Sequence, residues 1–518
     1  MKLKIILSAF LFFQFFSNQA QNEFIDSNFG TNNGYTLSPA YQGDLILRDV
    51  LQVNDKIYAT SIGFDQTCYL IRYDLNGIVD LTFGTNGFVL MPQSPDGLFL
   101  GNRFSQLKLT SNNKLLLITS VLPDNFEAAG FYIAQVTKIN LDGTLDLNYG
   151  TNGSYLSSFE FGLRTIGVEK SSEDGLTIVG YNGYIDDDNT HTVTIQKING
   201  QGQLDTNFGT NGYIDLSYNS EIYTPVLANI KGDFVYILFS SYEGNNYISK
   251  YNTSALSYDM SFGQNGIVTG NSSTMVIDYF YIDDDSNAMY VSGGRVVQVA
   301  MHLETLVVVK KYVNGILDSN FGNNGEAIVD VLPNTATVKF VQSIEKHANK
   351  ILIHGDVNSV ATAPYDKTFL AQINMDGSMD QNFGQNGVII NELFPSDNKT
   401  FGYVYNEDSI ITCGSCPSID GFYPQRPCLI KYLKSSNLNI ESFHNQNARF
   451  YPNPVQDLMY FRTDKNIVSI DIYDYSGRLV GKYKSEDNSV NIVDLQSGLY
   501  IGAVNTDADS YKIKLVKK

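Results

Sequence analysis

A phrase of the form Asp-x-x-aromatic-Gly-x-Asn-Gly recurs seven times along the chain. It reads DSNFGTNNG at 26–34, DLTFGTNG at 80–87, DLNYGTNG at 146–153 and DTNFGTNG at 205–212. It returns as DMSFGQNG at 259–266, DSNFGNNG at 318–325 and DQNFGQNG at 380–387. The leading aspartates are Asp26, Asp80, Asp146, Asp205, Asp259, Asp318 and Asp380, spaced 54 to 66 residues apart with a mean of 59. A period of that size marks a repeat architecture, in which each unit buries its apolar face only against its neighbours.

Within one period, residues 45–51, 56–62 and 69–75 are apolar, β-branched or alternating, and Asn76-Gly77 is a hairpin signal. The phrase follows, and then a short apolar run at 88–90. Each repeat therefore predicts four short strands, with the phrase connecting the third to the fourth. The residue types suit that task. The first glycine of each copy (Gly30, Gly84, Gly150, Gly209, Gly263, Gly322, Gly384) and the second can adopt positive φ in a tight turn. Asn before Gly tolerates left-handed geometry. The Asp carboxylate can accept backbone N–H groups of the turn that follows, and the aromatic plugs the gap between units. Copy one departs by an inserted Asn33, which lengthens one turn.

A four-stranded antiparallel sheet repeated radially is a propeller blade. The repeat region begins with a connector and a lone fourth strand at 35–37, and ends with three strands at 400–405, 409–413 and 429–433. The two fragments are complementary. The expectation is an all-β, seven-bladed β-propeller over 22–433, its N-terminal strand completing the last blade and so removing two sheet edges. An open solenoid would leave the complementarity unexplained. Over 24–433 the chain resembles the delta-60 family of bacterial secreted propeller repeats, which is defined by its repeat and implies no shared activity or site.

Residues 434–448 are polar and irregular and read as a linker. Beyond them the spacing changes, and 449–518 predicts a small immunoglobulin-like β-sandwich, near the lower size limit for an independent core. This segment carries YPNP at 451–454 (with Pro452, Asn453 and Pro454), IYDYSGR at 472–478 (ending Gly477-Arg478), VDLQSGLYI at 493–501 (with Gly498 and Tyr500) and a basic end at Lys517-Lys518. It resembles the type A C-terminal sorting domain of the type IX secretion system. The resemblance implies a partner in that machinery, transfer of folded cargo across the outer membrane, a cell-surface or released product, and a Bacteroidota lineage.

The first twenty residues fit that route. Lys2 and Lys4 precede a short apolar run at 5–16 and a small polar exit ending at Ala20. This reads as a secretory signal peptide at 1–20; about 12 apolar residues fall short of the ~20 that span a bilayer. No later segment is apolar enough to span. The net charge of −19 argues against nucleic acid and anionic lipid as partners. Of the four cysteines, Cys68, Cys413, Cys416 and Cys428, export allows one disulfide among the last three. Cys413-x-x-Cys416 lacks the second pair or nearby histidines of a zinc site.

Chemistry is sparse. Seven aspartates at equivalent positions supply equal environments, whereas a catalytic pair needs unequal ones; they read as structural. The clusters at 186–188 and 283–285 could hold Ca²⁺ but lack the spaced ligand pattern and later glutamate of a calcium loop, and read as solvated loop charge. His191, His302, His347, His354 and His444 form no ligand-like pair, and no nucleophile elbow or phosphate loop is present. No catalytic or metal site is expected. Two functions from different classes remain: a secreted or surface non-catalytic protein binding an extracellular glycan or protein at one mouth of the ring, and a secreted hydrolase of a glycan or similar polymer with non-equivalent carboxylates around the channel.

Overall fold

The computed structural model describes residues 24–38, 45–63, 67–91, 97–98, 105–123, 133–157, 164–181, 192–218, 222–241, 243–271, 274–299, 302–332, 337–359, 366–391, 393, 399–416, 426–435, 448–463, 466–474, 478–506 and 510–518. The expected signal peptide at 1–20 and nearly all of the linker (436–447) lie outside the described residues. So do 186–188, His191, His444, Gly477 and the side chain of His302. The chain divides into two compact units, 1–435 and 436–518.

Among the described residues the first unit contains only strands, gathered into seven sheets. Blade 1 runs in order through Leu45–Val53, Lys56–Gly63, Cys68–Asp74 and Phe88–Leu90. Blades 2 to 6 repeat the pattern, with inner strands Ser105–Leu109, Arg164–Lys170, Tyr223–Lys231, Val276–Ile282 and Thr337–His347. Blade 7 takes its first three strands, Lys399–Tyr405, Ser409–Cys416 and Arg426–Leu433, from the end of the repeat region. Its fourth is Tyr35–Leu37 from the start of the chain, with Tyr35 opposite Ile430 and Leu37 opposite Cys428. The expected joining of the two ends is therefore what the register shows.

The core confirms closure. It is split into clusters that each straddle two neighbouring blades. Leu70, Phe83, Leu107 and Leu117 join blades 1 and 2; Val136, Tyr149 and Ile178 join 2 and 3; Ile195, Ile214 and Ile237 join 3 and 4. Ile248, Phe262 and Phe280 join 4 and 5; Val309, Phe321 and Ile353 join 5 and 6; Leu370, Phe383 and Ile430 join 6 and 7. The last interface, Phe29, Ile57, Ile411 and Leu429, joins 7 back to 1. No blade has a core of its own, as a nearest-neighbour repeat requires.

Six inner strands carry a β-bulge, with breaks at Leu47/Asp49, Thr165/Gly167, Pro225/Leu227, Ile277/Tyr279, Val341/Ser343 and Thr400/Gly402. A bulge adds one residue and turns the strand, so residues on both sides of it can reach the ring's axis. No residue pattern marks these positions, because a bulge only shifts the alternation of a strand by one residue. Also unexpected are the twelve-residue strands Ala288–Val299 and His302–Val313 of blade 5.

Cys416 and Cys428 form a disulfide across adjacent strands of blade 7. Cys413 lies in the cluster facing blade 1, while Cys416 lies in the cluster facing blade 6. A three-residue step along a strand changes face, so the CxxC cysteines cannot meet. Burial pushes the Cys68 thiol up to about 12 and the Cys413 thiol well above its ordinary value, which leaves both unreactive.

The second unit is a sandwich of two sheets. Ala448–Tyr451, Leu458–Thr463 and Ser489–Asn491 form one; Leu479–Lys484, Ile467–Tyr473, Gly498–Thr506 and Ser510–Lys517 form the other. Val455, Met459, Ile470, Ile472, Val504 and Leu515 fill the space between them. Ala448 is already in a strand, so the regular structure starts one residue before the expected linker ends.

Phe29 is 1% exposed and sits in the interface that completes the ring. Phe29→Ala is expected to cost about 3–5 kcal/mol, the usual loss for a buried phenylalanine. Urea unfolding of the two proteins checks it; an unchanged midpoint would show that the N-terminal segment does not close the ring.

Candidate functional site

The seven phrase connectors have one geometry. In every copy the Asp side chain accepts the backbone N–H two residues on: Asn28, Thr82, Asn148, Asn207, Ser261, Asn320 and Asn382 donate at 3.1–3.4 Å. The first glycine takes φ between +52° and +72°. A Cβ at Gly384 would lie 2.3 Å from the Val388 carbonyl oxygen, so no side chain fits there. The residue before the second glycine, Asn33, Asn86, Asn152, Asn211, Asn265, Asn324 or Asn386, is left-handed at +52° to +55°.

The aspartates are not equivalent in their other contacts, and this corrects the expectation of equal environments. Asp80 pairs with both Lys56 at 3.1 Å and Arg72 at 3.0 Å. Asp26, Asp146, Asp259, Asp318 and Asp380 pair with Lys431, Lys114, Lys250, Lys311 and Lys350 at 2.8–2.9 Å. Asp205 has no ion pair among the described residues. The third-strand cation also covers the phrase aromatic: Arg72 lies 4.5 Å from the Phe83 ring centre and Lys197 4.7 Å from that of Phe208. Sequence reasoning missed this partner. Its signal was available: a basic residue recurs in the third strand, eight positions before Asp80, Asp146 and Asp205.

The Thr82 hydroxyl and the two cations hold the Asp80 carboxyl well below its ordinary range, and Lys114 does the same for Asp146. At 283–285 the Lys346 ammonium bridges Asp283 at 2.8 Å and Asp285 at 2.9 Å. That acidic loop already has its cation.

The inner strands of all seven blades enclose a channel with a cavity of about 620 Å³. Unlike the connectors, it is lined by residues that do not repeat: Asp49 from blade 1, Lys108 from blade 2, Glu169 from blade 3, Tyr279 and Tyr281 from blade 5, Glu345 from blade 6 and Tyr403 from blade 7. None of these was singled out in the sequence, because each sits in a strand whose apolar pattern describes its sheet and not its axis.

Asp49 Oδ1 accepts the N–H of Val50 and its Oδ2 that of Leu107 in blade 2, at 2.8 and 2.7 Å. Burial pushes its carboxyl up to about 6 despite those bonds and nearby Lys108. Asp278 accepts the Val341 N–H of blade 6 and is likewise raised to about 6 by burial. Glu345 keeps 43% of its side chain open and lines the channel. Burial raises its carboxyl, and the nearby Tyr403 hydroxyl, 3.2 Å from His347 Nε2, opposes that shift. Its Oε2 lies 3.6 Å from His347 Nε2. That imidazole stacks on Tyr405 at 3.9 Å, and burial lowers it to about 4, so it is neutral near pH 7. Burial also raises Glu169. His354 is buried between blades, its Nε2 against Thr400 Oγ1, and faces no ligand space.

In the second unit the motif pieces converge on the last strand. Asn453 Oδ1 accepts the Val516 N–H at 2.9 Å, and in the same stretch Val455 donates its N–H to the Val516 carbonyl and accepts that of Lys518. Gly498 is opposite Lys517, and Tyr500 donates its hydroxyl to the Gln496 carbonyl. Arg478 pairs with Asp474 at 3.1 Å. Pro452 and Pro454 flank Asn453 in an exposed stretch.

Residues 449–518 match the family described as "Secretion system C-terminal sorting domain". Residues 349–383, within blade 6, match the "Domain of unknown function (DUF5122) beta-propeller". The chain therefore carries delta-60-type propeller repeats and a type IX sorting domain, and is exported to the cell surface or the extracellular space. No curated protein matches it. Among solved structures it is similar to the plexin A4 extracellular region, with TM-score 0.45 and 9% identity over 91% of this chain and 66% of that one. It covers only 52% of a longer plexin A4 chain. It is also similar to an α-L-arabinofuranosidase from Fusarium graminearum, with TM-score 0.35 and 9% identity over 77% of this chain and 96% of that one. The β-propeller domain of the Trilobed protease from Pyrococcus furiosus gives TM-score 0.36 and 7% identity over 75% and 95%. Among the described residues no helix is long and apolar enough to cross a membrane.

The unequal ion pairing has a measurable consequence. Asp205→Ala is expected to cost ~1 kcal/mol, one turn hydrogen bond, and Asp80→Ala ~2–3 kcal/mol, a buried-edge charge network. Equal losses in chemical unfolding would contradict it. The lowered carboxyls also set a pH window. Their folded values lie below the unfolded ones, so their stabilisation is complete above about pH 4 and is lost as pH falls through the folded values. A melting-temperature series from pH 5 to 2 should fall less steeply for Asp80→Asn than for the parent.

Proposed function

We propose that the protein is a secreted, non-catalytic binding protein whose ligand, an extracellular glycan, protein or smaller polar molecule, enters the central channel. The reading is carried by one observation: the axis is the place where the seven blades present different polar side chains to a single cavity. The connectors, by contrast, spend their polar atoms on their own turns and on lysines.

The second-to-third-strand connections differ in length, from two residues at 300–301 to ten at 182–191. Variable loops on a rigid frame suit partner selection. A glycan hydrolase instead needs two carboxyls free to face the substrate. Asp49 has both oxygens held by backbone amides of blades 1 and 2, so it is a brace between blades. The hydrolase reading keeps one observation in its favour, the raised Glu345 carboxyl beside the Tyr403 hydroxyl.

The test is a glycan and protein array probed with the mature chain, followed by product analysis on every ligand found. We expect capture without turnover, and weaker capture by Glu345→Gln. Turnover lost in Glu345→Gln would favour the hydrolase. Capture indifferent to Glu345→Gln and Glu169→Gln would remove the channel from the account.

For the second unit we propose recognition by the type IX machinery through the assembled terminal strand. Deleting residues 494–518 should leave the protein inside the cell envelope, read by fractionation; normal surface or medium levels would contradict it.

A further inference from the structure

The charges of the channel are arranged around a gap. Lys108 lies near Asp49, Glu169 and Glu345 and works against the upward shift that burial imposes on each, yet it makes no ion pair within 4 Å among the described residues. Arg48, the other cation of the lining, lies over the Phe401 ring at 4.4 Å. Glu169 and Glu345 have no cationic partner in contact: the one close ring nitrogen, on His347, is neutral near pH 7. Asp284 adds further negative potential at Glu169. Thr165, 3% exposed, lines the same cavity, and its Oγ1 has no hydrogen-bond partner among the described residues. A buried polar atom without a partner in a polar cavity marks a place for a molecule that supplies one.

Blades 3 and 6 are three steps apart on a ring of seven, so Glu169 and Glu345 face one another across the axis. Tyr279, Tyr281 and Tyr403 stand in the wall between and beside them. Aromatic faces attract ammonium groups, the more so where water is scarce, and a charge-assisted N–H···O bond is stronger than a neutral one. Resting on the channel reading above, we propose that the channel takes a linear amine with cationic groups at both ends, one ammonium at Glu169 and the other at Glu345, its chain against the tyrosines. Lys108 competes for the same carboxylates and sets the affinity. A linear polyamine and a peptide segment with spaced lysines share this chemistry.

The test is calorimetric titration of the full mature chain with spermidine at pH 8. We expect 1:1 binding, weakened about tenfold in Glu169→Gln and again in Glu345→Gln, and tightened in Lys108→Met. Binding should also weaken at pH 5, where the raised carboxyls take up protons. Unchanged melting temperatures establish that the variants fold. Because the whole protein is acidic, Asp55→Asn, an exposed turn residue outside the channel, is the control. Absence of binding, or losses in the glutamate variants no larger than in Asp55→Asn, would overturn the proposal. If an array ligand without amines depends on Glu345 while spermidine does not bind, the amine specificity fails and channel binding stands. If no ligand depends on the channel residues, both fail together.

Discussion

The structure depends on a hydrogen bond that ties one blade to the next, found in five of the seven connectors among the described residues. In these the N–H of the first glycine does not bond within its own turn. Gly30 donates to Asn76 of blade 1, Gly150 to Gln201, Gly263 to Asn314, Gly322 to Asp376 and Gly384 to Lys434, at 2.7–3.1 Å. The acceptors are carbonyls of the next blade's third-strand turn. The aromatic one position earlier packs on that same turn: a Cβ at Gly77 would lie 2.4 Å from Phe29, and one at Gly143 2.8 Å from Phe83. Glycine is needed on both sides, once for left-handed backbone and once for clearance. A phrase that must satisfy its own turn and the next blade at once has little freedom to vary, and this explains why it is the most uniform part of the sequence.

The fold was legible because its constraints repeat. Seven aspartates, glycines and aromatics at a near-constant spacing declare both the unit and its number, and the unmatched strands at 35–37 and 400–433 declare the closure. The site was not legible, for a physical reason. A strand pattern records which side chains face the neighbouring blades, with a period of two. Which residues reach the axis depends on bulges such as Leu47/Asp49 and Val341/Ser343, and a bulge leaves no mark in a run of apolar residues. Glu345 reads as an ordinary polar position in QSIEKH, and Tyr403 as one tyrosine among 34. The third-strand cations were legible in principle, since Arg72, Lys138 and Lys197 recur with the period itself, but they lie outside the phrase.

Export places its own demand on this architecture. A ring whose blades have no separate cores is stable only when closed, and its closing sheet joins the first strand of the chain to the last three of the repeat region. These are the segments most distant in sequence, so their pairing carries the largest loop-closure cost. Blade 7 holds the disulfide, Cys416 to Cys428, between its second and third strands, and Tyr35–Leu37 pairs with the third. A cross-link there ties the second strand to the one that receives the N-terminal strand, and it forms only after the chain leaves the reducing cytoplasm. The cross-link and the destination are therefore consistent with one another.

The two ends of the ring are under opposite pressures. At the connector end nearly every polar atom is committed: the aspartates to turn amides and lysines, the asparagines to left-handed backbone, Lys346 to the acidic loop at 283–285. Change there costs stability. Along the axis the commitments are fewer. Asp49 and Asp278 brace neighbouring blades through backbone amides, whereas Lys108, Glu169 and Glu345 can change without breaking a turn or a core contact. A repeat protein diversifies where its repeats impose nothing, and in this ring that place is the inner wall. The chemistry of the channel can therefore shift with three or four side chains on a frame that stays the same.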